Sequence, residues 1–262
     1  MQVFLKMFQF RYITLFLFFG VLSIPDLGAS EVIVFYALEA DGEVMREQFS
    51  RSVTNGGGVG PKEIFEANGN RILLARMTPG PVSTAWTAGS VILSFQPDLI
   101  LSIGPAGTLD DDLNVGDIVR VSSVMPYQAG TWMASGFETK KNPVRIFEVE
   151  RFSERAIKIF GIDSRKADLR AASGEAFVAS ETQRRRLRQE TGSSLVEMNL
   201  FGLVGSKQIR NIPGIHIRIV SDRADANARD DFLQFVKNYD GELGLKVVRF
   251  LQNLPSDPLS PA

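Results

Sequence analysis

The chain has 262 residues, 44% hydrophobic and 23% charged, an ordinary globular composition that excludes a disordered, collagen-like or multi-span membrane protein. Its 29 basic and 30 acidic side chains give a net charge of −1, so nothing in the balance favours nucleic acid or an anionic membrane as a partner. With no cysteine and a single histidine, His216, thiolate nucleophiles, disulfides and cysteine-rich zinc sites are excluded, and chemistry must run on carboxylates, hydroxyls, amides and backbone.

In chain order, residues 1–30 read as an export signal. Lys6 and Arg11 precede an apolar run from Tyr12 to Ile24, and Gly28-Ala29-Ser30 supplies the small residues of a cleavage site. The run is shorter than the roughly 20 residues that span a bilayer, so the expectation is cleavage and a periplasmic product with no stable membrane anchor. From Glu31 to Gln252, short β-branched runs alternate with longer amphipathic stretches, which predicts one α/β domain around a parallel or mixed sheet. Strands are predicted over Val32–Tyr36, Arg71–Met77, Leu99–Ile103, Asp117–Val124 and Ile215–Val220. Helices are predicted over Glu43–Val53, Val82–Phe95, Ser153–Phe160, Glu181–Thr191, Met198–Lys207 and Asp230–Leu251, with Ser180 and Gln183 as a capping pair. Residues 253–262 hold three prolines and little to bury, so a flexible tail is expected.

Three features have ordinary readings. Gly56-Gly57-Gly58-Val59-Gly60 follows a predicted helix rather than a strand, so it reads as a surface turn and not as a phosphate cradle. Arg184-Arg185-Arg186 points in three directions around a helix and reads as a solvated face. His216 alternates with Arg218 on one side of a strand and reads as a packed or edge histidine, with no metal cluster to join.

Ligands of α/β sheets bind beyond the carboxyl ends of the strands. The informative residues are therefore Glu39-Ala40-Asp41 after the first strand, the glycine-rich Gly104-Pro105-Ala106-Gly107 turn after the third, and Ser221-Asp222 after the last. Carboxylates in a partly dry cleft divide into an acid and a base when their surroundings push their pKa values apart. A carboxylate in such a position also serves commonly as a helix cap.

Ala37-Leu38-Glu39-Ala40-Asp41, Gly104-Pro105-Ala106-Gly107 leading to Val115-Gly116-Asp117-Ile118-Val119, Ser173-Gly174-Glu175-Ala176-Phe177-Val178, Val196-Glu197-Met198-Asn199 and Val220-Ser221-Asp222 follow one another in an order that resembles the purine nucleoside phosphorylase and nucleosidase superfamily. Within it the sequence is most similar to the methylthioadenosine/S-adenosylhomocysteine nucleosidases. The resemblance covers residues 31–252 and implies a three-layer α/β/α fold around a twisted mixed sheet. It also implies a small-molecule nucleoside as substrate, no metal or organic cofactor, and a homodimer. By the same resemblance Asp222, beside Ser221, protonates the purine, Phe177 stacks on the base and Val178 reads its edge through the backbone. Met198 packs on the sugar, Glu197 and Asn199 grip its hydroxyls, and Ala106 and Gly107 let backbone approach the ligand.

The sequence departs from the pattern at three positions. Asp41 stands where the water-activating glutamate is expected, with Glu39 and Glu43 as replacements; Pro105 stands for a serine; Asn199 stands for a second glutamate. The acidic Glu39–Glu43 stretch occupies the place of a phosphate-binding segment and favours hydrolysis over phosphorolysis. The expectation is N-glycosidic hydrolysis of a purine nucleoside or thionucleoside. Two alternatives stay open: a phosphorylase that uses Arg76 or another basic residue, and an exported nucleoside-binding protein without turnover.

Overall fold

The computed structural model describes residues 30–52, 63–139, 142–145, 150–208 and 210–254. Residues 1–29 of the expected export signal, Gly56–Gly60 and the part of the expected tail beyond Leu254 lie outside the described residues.

Strand β1 (Glu31–Tyr36) is followed by helix α1 (Glu39–Gln48) and by strands β2 (Ser50–Ser52), β3 (Ile64–Ala67) and β4 (Asn70–Arg76). Helix α2 (Pro81–Phe95), strands β5 (Leu99–Thr108), β6 (Ile118–Pro126), β7 (Gly130–Met133), β8 (Gly136–Thr139) and β9 (Val144–Arg145), and helix α3 (Glu150–Phe160) come next. The chain continues through β10 (Leu169–Ser173), α4 (Glu181–Thr191), β11 (Leu195–Glu197), α5 (Leu200–Gln208) and β12 (Gly214–Asp222), and ends in α6 (Ala228–Asn238) and α7 (Glu242–Gln252).

The sheet runs β11-β10-β6-β12-β5-β1-β4-β3-β2 and is mixed, with β1, β4, β5 and β12 mutually parallel where they pair. After Glu31, strand β1 is apolar and buried because both of its faces are covered. Val32, Val34 and Tyr36 join a core formed with α3 and α7, whereas Ile33 and Phe35 join a second core formed with α2 and α5. This is the three-layer α/β/α arrangement. Where α5 crosses α2, Gly202 lies so close to the Pro81 carbonyl oxygen that a Cβ would come within 1.9 Å of it. Among the described residues no helix is long and apolar enough to cross a membrane.

The structure departs from the sequence-based elements in several places, each with a local cause. Gly104-Pro105-Ala106-Gly107 is not a turn: it continues β5, because Gly104–Gly107 pairs with β12 on one side while Gly107 and Thr108 pair with β11 on the other. That second, antiparallel pairing brings β11 back onto β5 and closes this end of the sheet on itself. The single helix expected over Asp230–Leu251 is broken into α6 and α7 at Gly241, whose φ of +85° is a conformation that favours glycine. Asn68 and Gly69, at φ +49° and +76°, form the two-residue turn that joins β3 to β4. Leu254, assigned by sequence to the flexible tail, is fully buried in the core. Arg184 likewise is no solvated residue: it is 8% exposed, donates to the Thr108 carbonyl and pairs with Asp111.

Candidate active site

The carboxyl ends of β1, β5 and β12 and the segments that follow β10 and β11 surround one pocket of about 130 Å³. Ser221 and Asp222 close β12, and Ala106 and Gly107 face them from β5. Phe177 and Val178 after β10 and Glu197, Met198 and Asn199 around the end of β11 complete the polar and aromatic lining.

Asp222 is held there by geometry that leaves little freedom. Its Oδ2 accepts from Ser221 Oγ at 2.8 Å and its Oδ1 accepts from the Ala224 backbone N–H at 2.9 Å. Ser221 Oγ also lies 3.3 Å from the Ala106 carbonyl oxygen, which ties the pair to β5. Gly107 is required beside it: a Cβ at this position would sit 2.6 Å from Asp222 Oδ1 and 3.3 Å from the Val196 and Ala224 side chains. With 2% of its surface exposed, Asp222 has lost most of its hydration, and burial raises its pKa despite the two hydrogen bonds. The nearby charges of Asp231 and Asp225 push in the same direction. A carboxyl tuned this way keeps its proton to higher pH and can deliver it to a leaving group.

The Ser173–Val178 segment is anchored at both ends. Tyr127 donates to the Ala176 carbonyl and its ring lies against Gly174, where a Cβ would fall 2.4 Å away. Glu175 Oε1 accepts from the first turn of α2 at Val82, 2.9 Å away. This presents the Phe177 ring, which meets Phe232 of α6 at a centroid distance of 5.6 Å and leaves a large apolar face to a planar ligand.

Glu197 and Asn199 line the pocket, yet much of their bonding capacity is already engaged. Glu197 Oε2 accepts from the backbone N–H groups of Asn199 and Leu200, both at 2.9 Å, and from Arg218 at 3.3 Å. It thereby satisfies the exposed N-terminus of α5 and neutralises a buried guanidinium. Its Oε1 accepts only the shared Leu200 N–H at 3.0 Å, so a lone pair remains for a ligand hydroxyl. Asn199 Nδ2 donates to Thr78 O and Thr84 Oγ1, each at 2.7 Å, which leaves its carbonyl oxygen for the pocket.

Asp41 and Glu39 are not brought to the pocket. Asp41 is fully buried between α1 and α7, where its Oδ1 accepts from Tyr239 Oη at 2.7 Å and from the Gly244 N–H at 2.8 Å. The expected water-activating role therefore has no geometric basis at Asp41. The helix starts at Glu39 instead of Glu43, and this turns the third residue after Leu38 toward α7. Glu39 pairs with Arg46 and Arg76 outside the pocket lining. Arg76, the cation named for the phosphorylase alternative, is thus already matched, and among the described residues neither arginine nor lysine lines the pocket. Sequence reasoning did not find Phe232 or Pro79, which reach the pocket from α6 and from the turn before α2; an isolated aromatic or proline in those segments carries no signal of its own.

The profile of the phosphorylase superfamily matches residues 33–252. A 5'-methylthioadenosine/S-adenosylhomocysteine nucleosidase of Staphylococcus aureus is 27% identical over 171 residues, 63% of this chain and 75% of that protein. The nucleosidase of the same name from Neisseria meningitidis, solved with methylthio-immucillin-A, superimposes with a TM-score of 0.71 at 25% identity, covering 86% of this chain and all (100%) of the other. A futalosine hydrolase mutant of Helicobacter pylori shares the fold with a TM-score of 0.74 at 20% identity, over 86% of this chain and 100% of its own.

Burial without a cation raises the pKa of Asp41 to about 6, and its Oδ2 has no hydrogen-bond partner among the described residues. The folded state therefore binds this proton more tightly than the unfolded chain does. Its contribution to stability is complete below about pH 4 and is lost as pH rises through about 6, a change of about 2–3 kcal/mol at most. Thermal melts of Asp41→Asn between pH 4 and 7 should lack that part of the wild-type decline. Turnover by the variant should match the wild type, whereas a hundredfold loss would restore Asp41 to the chemistry.

Proposed function

The chain belongs to the phosphorylase superfamily, and we propose that it is an N-glycosidase that hydrolyses the bond between a purine base and its ribose or thioribose. The observation that carries this reading is Asp222: a desolvated, hydrogen-bonded carboxyl with a raised pKa, set among an aromatic ring and small backbone groups.

In this reading Asp222 gives its proton to the imidazole nitrogen of the base as the bond from the sugar's anomeric carbon to the base breaks. The bonding pair leaves with the base, and cationic character is left on the sugar ring. Water adds to that carbon from the opposite face and loses one proton. An already cationic carbon needs little basic assistance, and Glu197 Oε1 is the carboxylate oxygen in the pocket with a lone pair to receive that proton. Phe177 stacks on the base, the Val178 backbone reads its edge, and Met198 packs on the sugar. Hydrolysis is favoured over phosphorolysis because, among the described residues, a phosphate dianion would find no arginine or lysine in the pocket lining to offset its desolvation.

Two further features belong to the same proposal. The basic start, apolar run and small residues of 1–30 support export and cleavage to a periplasmic protein. Val82, Trp86 and Leu93 lie along one face of α2 at 75%, 83% and 64% exposure, and an apolar stripe of that kind supports a homodimer built on this helix.

Asp222→Asn keeps the shape and the acceptor oxygen that Ala224 N–H uses, with Ser221 Oγ turning to accept from the new amide, but has no acidic proton, so turnover should fall by about two orders of magnitude or more with little change in melting temperature. In the wild type, kcat/KM should decline on the alkaline side of a pKa above the usual carboxylate range. Chromatography of the products should show free base and reducing sugar at a rate independent of added phosphate; sugar 1-phosphate would establish phosphorolysis instead. N-terminal sequencing of protein from its own cells should begin at Ser30 or Glu31, and an intact Met1 would refute cleavage. Sedimentation should show a dimer that Trp86→Arg converts to monomer; a wild-type monomer would remove the dimer from the proposal.

A further inference from the structure

A second cavity of about 640 Å³ lies between the β7–β8 hairpin and α4, several times larger than the pocket at Asp222 and within the size range of small-molecule sites. The two share Ala176, Phe177 and Val178 as a common wall. None of the groups assigned to the sugar, Glu197, Met198 or Asn199, takes part in the second cavity. It therefore adjoins the site across the segment assigned to the base.

Its chemistry is aromatic and neutral. Trp132 and Phe137 meet edge to face at 5.2 Å, and Phe177, Val178 and Leu187 extend the apolar surface. The polar groups around them are largely matched within the protein. Tyr127 donates to Ala176 O, Thr139 Oγ1 donates to Glu190 Oε2 at 2.9 Å, and Arg186 pairs with Glu190 at 2.8 Å and donates to Phe137 O. Gln128 Oε1 accepts from the Glu175 N–H at 2.6 Å and Ser180 Oγ accepts from the Gln183 N–H at 3.4 Å. A charged occupant would lose its hydration without gaining an unmatched partner of opposite charge, whereas an apolar ring would bury surface against at least two aromatic side chains. Trp132 is 80% exposed and Phe177 42% exposed, so the aromatic surface is available as it stands.

From this we infer that the cavity between the β7–β8 hairpin and α4 is a subsite for an uncharged apolar or aromatic substituent carried on the base, and that the preferred substrates are base-extended purine nucleosides. The inference rests on the nucleosidase reading for its placement of the base, but its test does not depend on turnover.

The protein is titrated calorimetrically with adenine and with 6-benzylaminopurine, and base release is followed from adenosine and from N6-benzyladenosine. The benzylated base should bind at least tenfold more tightly than adenine, and kcat/KM should favour the benzylated nucleoside by a similar factor. Gln183→Trp, which fills the cavity from α4 without touching the pocket at Asp222, should abolish both preferences and leave adenine affinity within twofold of wild type; Ala179→Phe should do the same from the segment before α4. Equal or weaker binding of the benzylated base, or a preference that survives both variants, would overturn the subsite. Cleavage of adenosine with rejection of the benzylated nucleoside would also overturn it while leaving the nucleosidase reading intact. Tighter, Gln183-dependent binding of the benzylated base with no release from either nucleoside would support the subsite and discard the nucleosidase reading.

Discussion

The pocket depends on how closely β5 and β12 approach each other at their carboxyl ends. The strands run parallel in register from Gly214 and Ile100 to Val220 and Ala106, and the register shifts just before Asp222 meets Gly107. Only a residue without Cβ fits at that point, because the carboxylate oxygen occupies the space 2.6 Å from where the carbon would be. The contact excludes water from one side of Asp222, and the raised pKa follows from that exclusion. Closure of the sheet by β11 on β5 reinforces it, since Val196 pairs with Gly107 and packs over the same spot.

A second constraint comes from charge. Glu197 and Arg218 have side chains 2% and 1% exposed, and burying such a pair gains little net stability because both ions lose their hydration. Its consequence is positional. Arg218 is fixed from the other side by the Ser102 and Ile217 carbonyls at 3.3 and 2.9 Å, so Glu197 has one place in which to sit, and that place holds the first N–H groups of α5. The network continues inward: Ser102 Oγ accepts from Arg218 at 3.3 Å and lies within hydrogen-bond distance of His216 Nδ1, at 2.7 Å. Burial and the neighbouring cations of Lys207 and Arg218 lower the His216 pKa and keep the ring neutral. The lone histidine of the chain is a strut beneath the site and is not among the residues that line the pocket.

Asp41 and Asp222 show how environment separates two carboxylates that look alike in sequence. Both follow the carboxyl end of an apolar strand segment or close it, both are buried, and both have raised pKa values. Asp222 faces a cavity that admits a ligand, so its proton has somewhere to go. Asp41 faces Tyr239 and the N–H of Gly244, so its proton serves only to reduce the cost of burying it where α1 meets α7.

Much of this was legible in the chain. The apolar run Val32–Tyr36 announced a central strand, Ser180 and Gln183 fixed the start of α4, and the order of the five motifs carried the family resemblance that implied the fold, because these signals are local or depend only on order along the chain. Asn68-Gly69 carried a legible hairpin signal that composition alone did not raise. Asp222, Gly107, Phe177 and Val178 were found from their motifs and do meet in one pocket. The return of β11 onto β5, the break at Gly241 and the direction of Asp41 were not legible, because each is decided by what packs against the segment from far along the chain. A sequence determines which residues prefer a strand, a cap or a turn, since those preferences belong to each residue's own backbone and side chain. Which carboxylate is left facing a cavity and which is sealed beneath a helix belongs to tertiary structure alone, because desolvation is set by every neighbour at once.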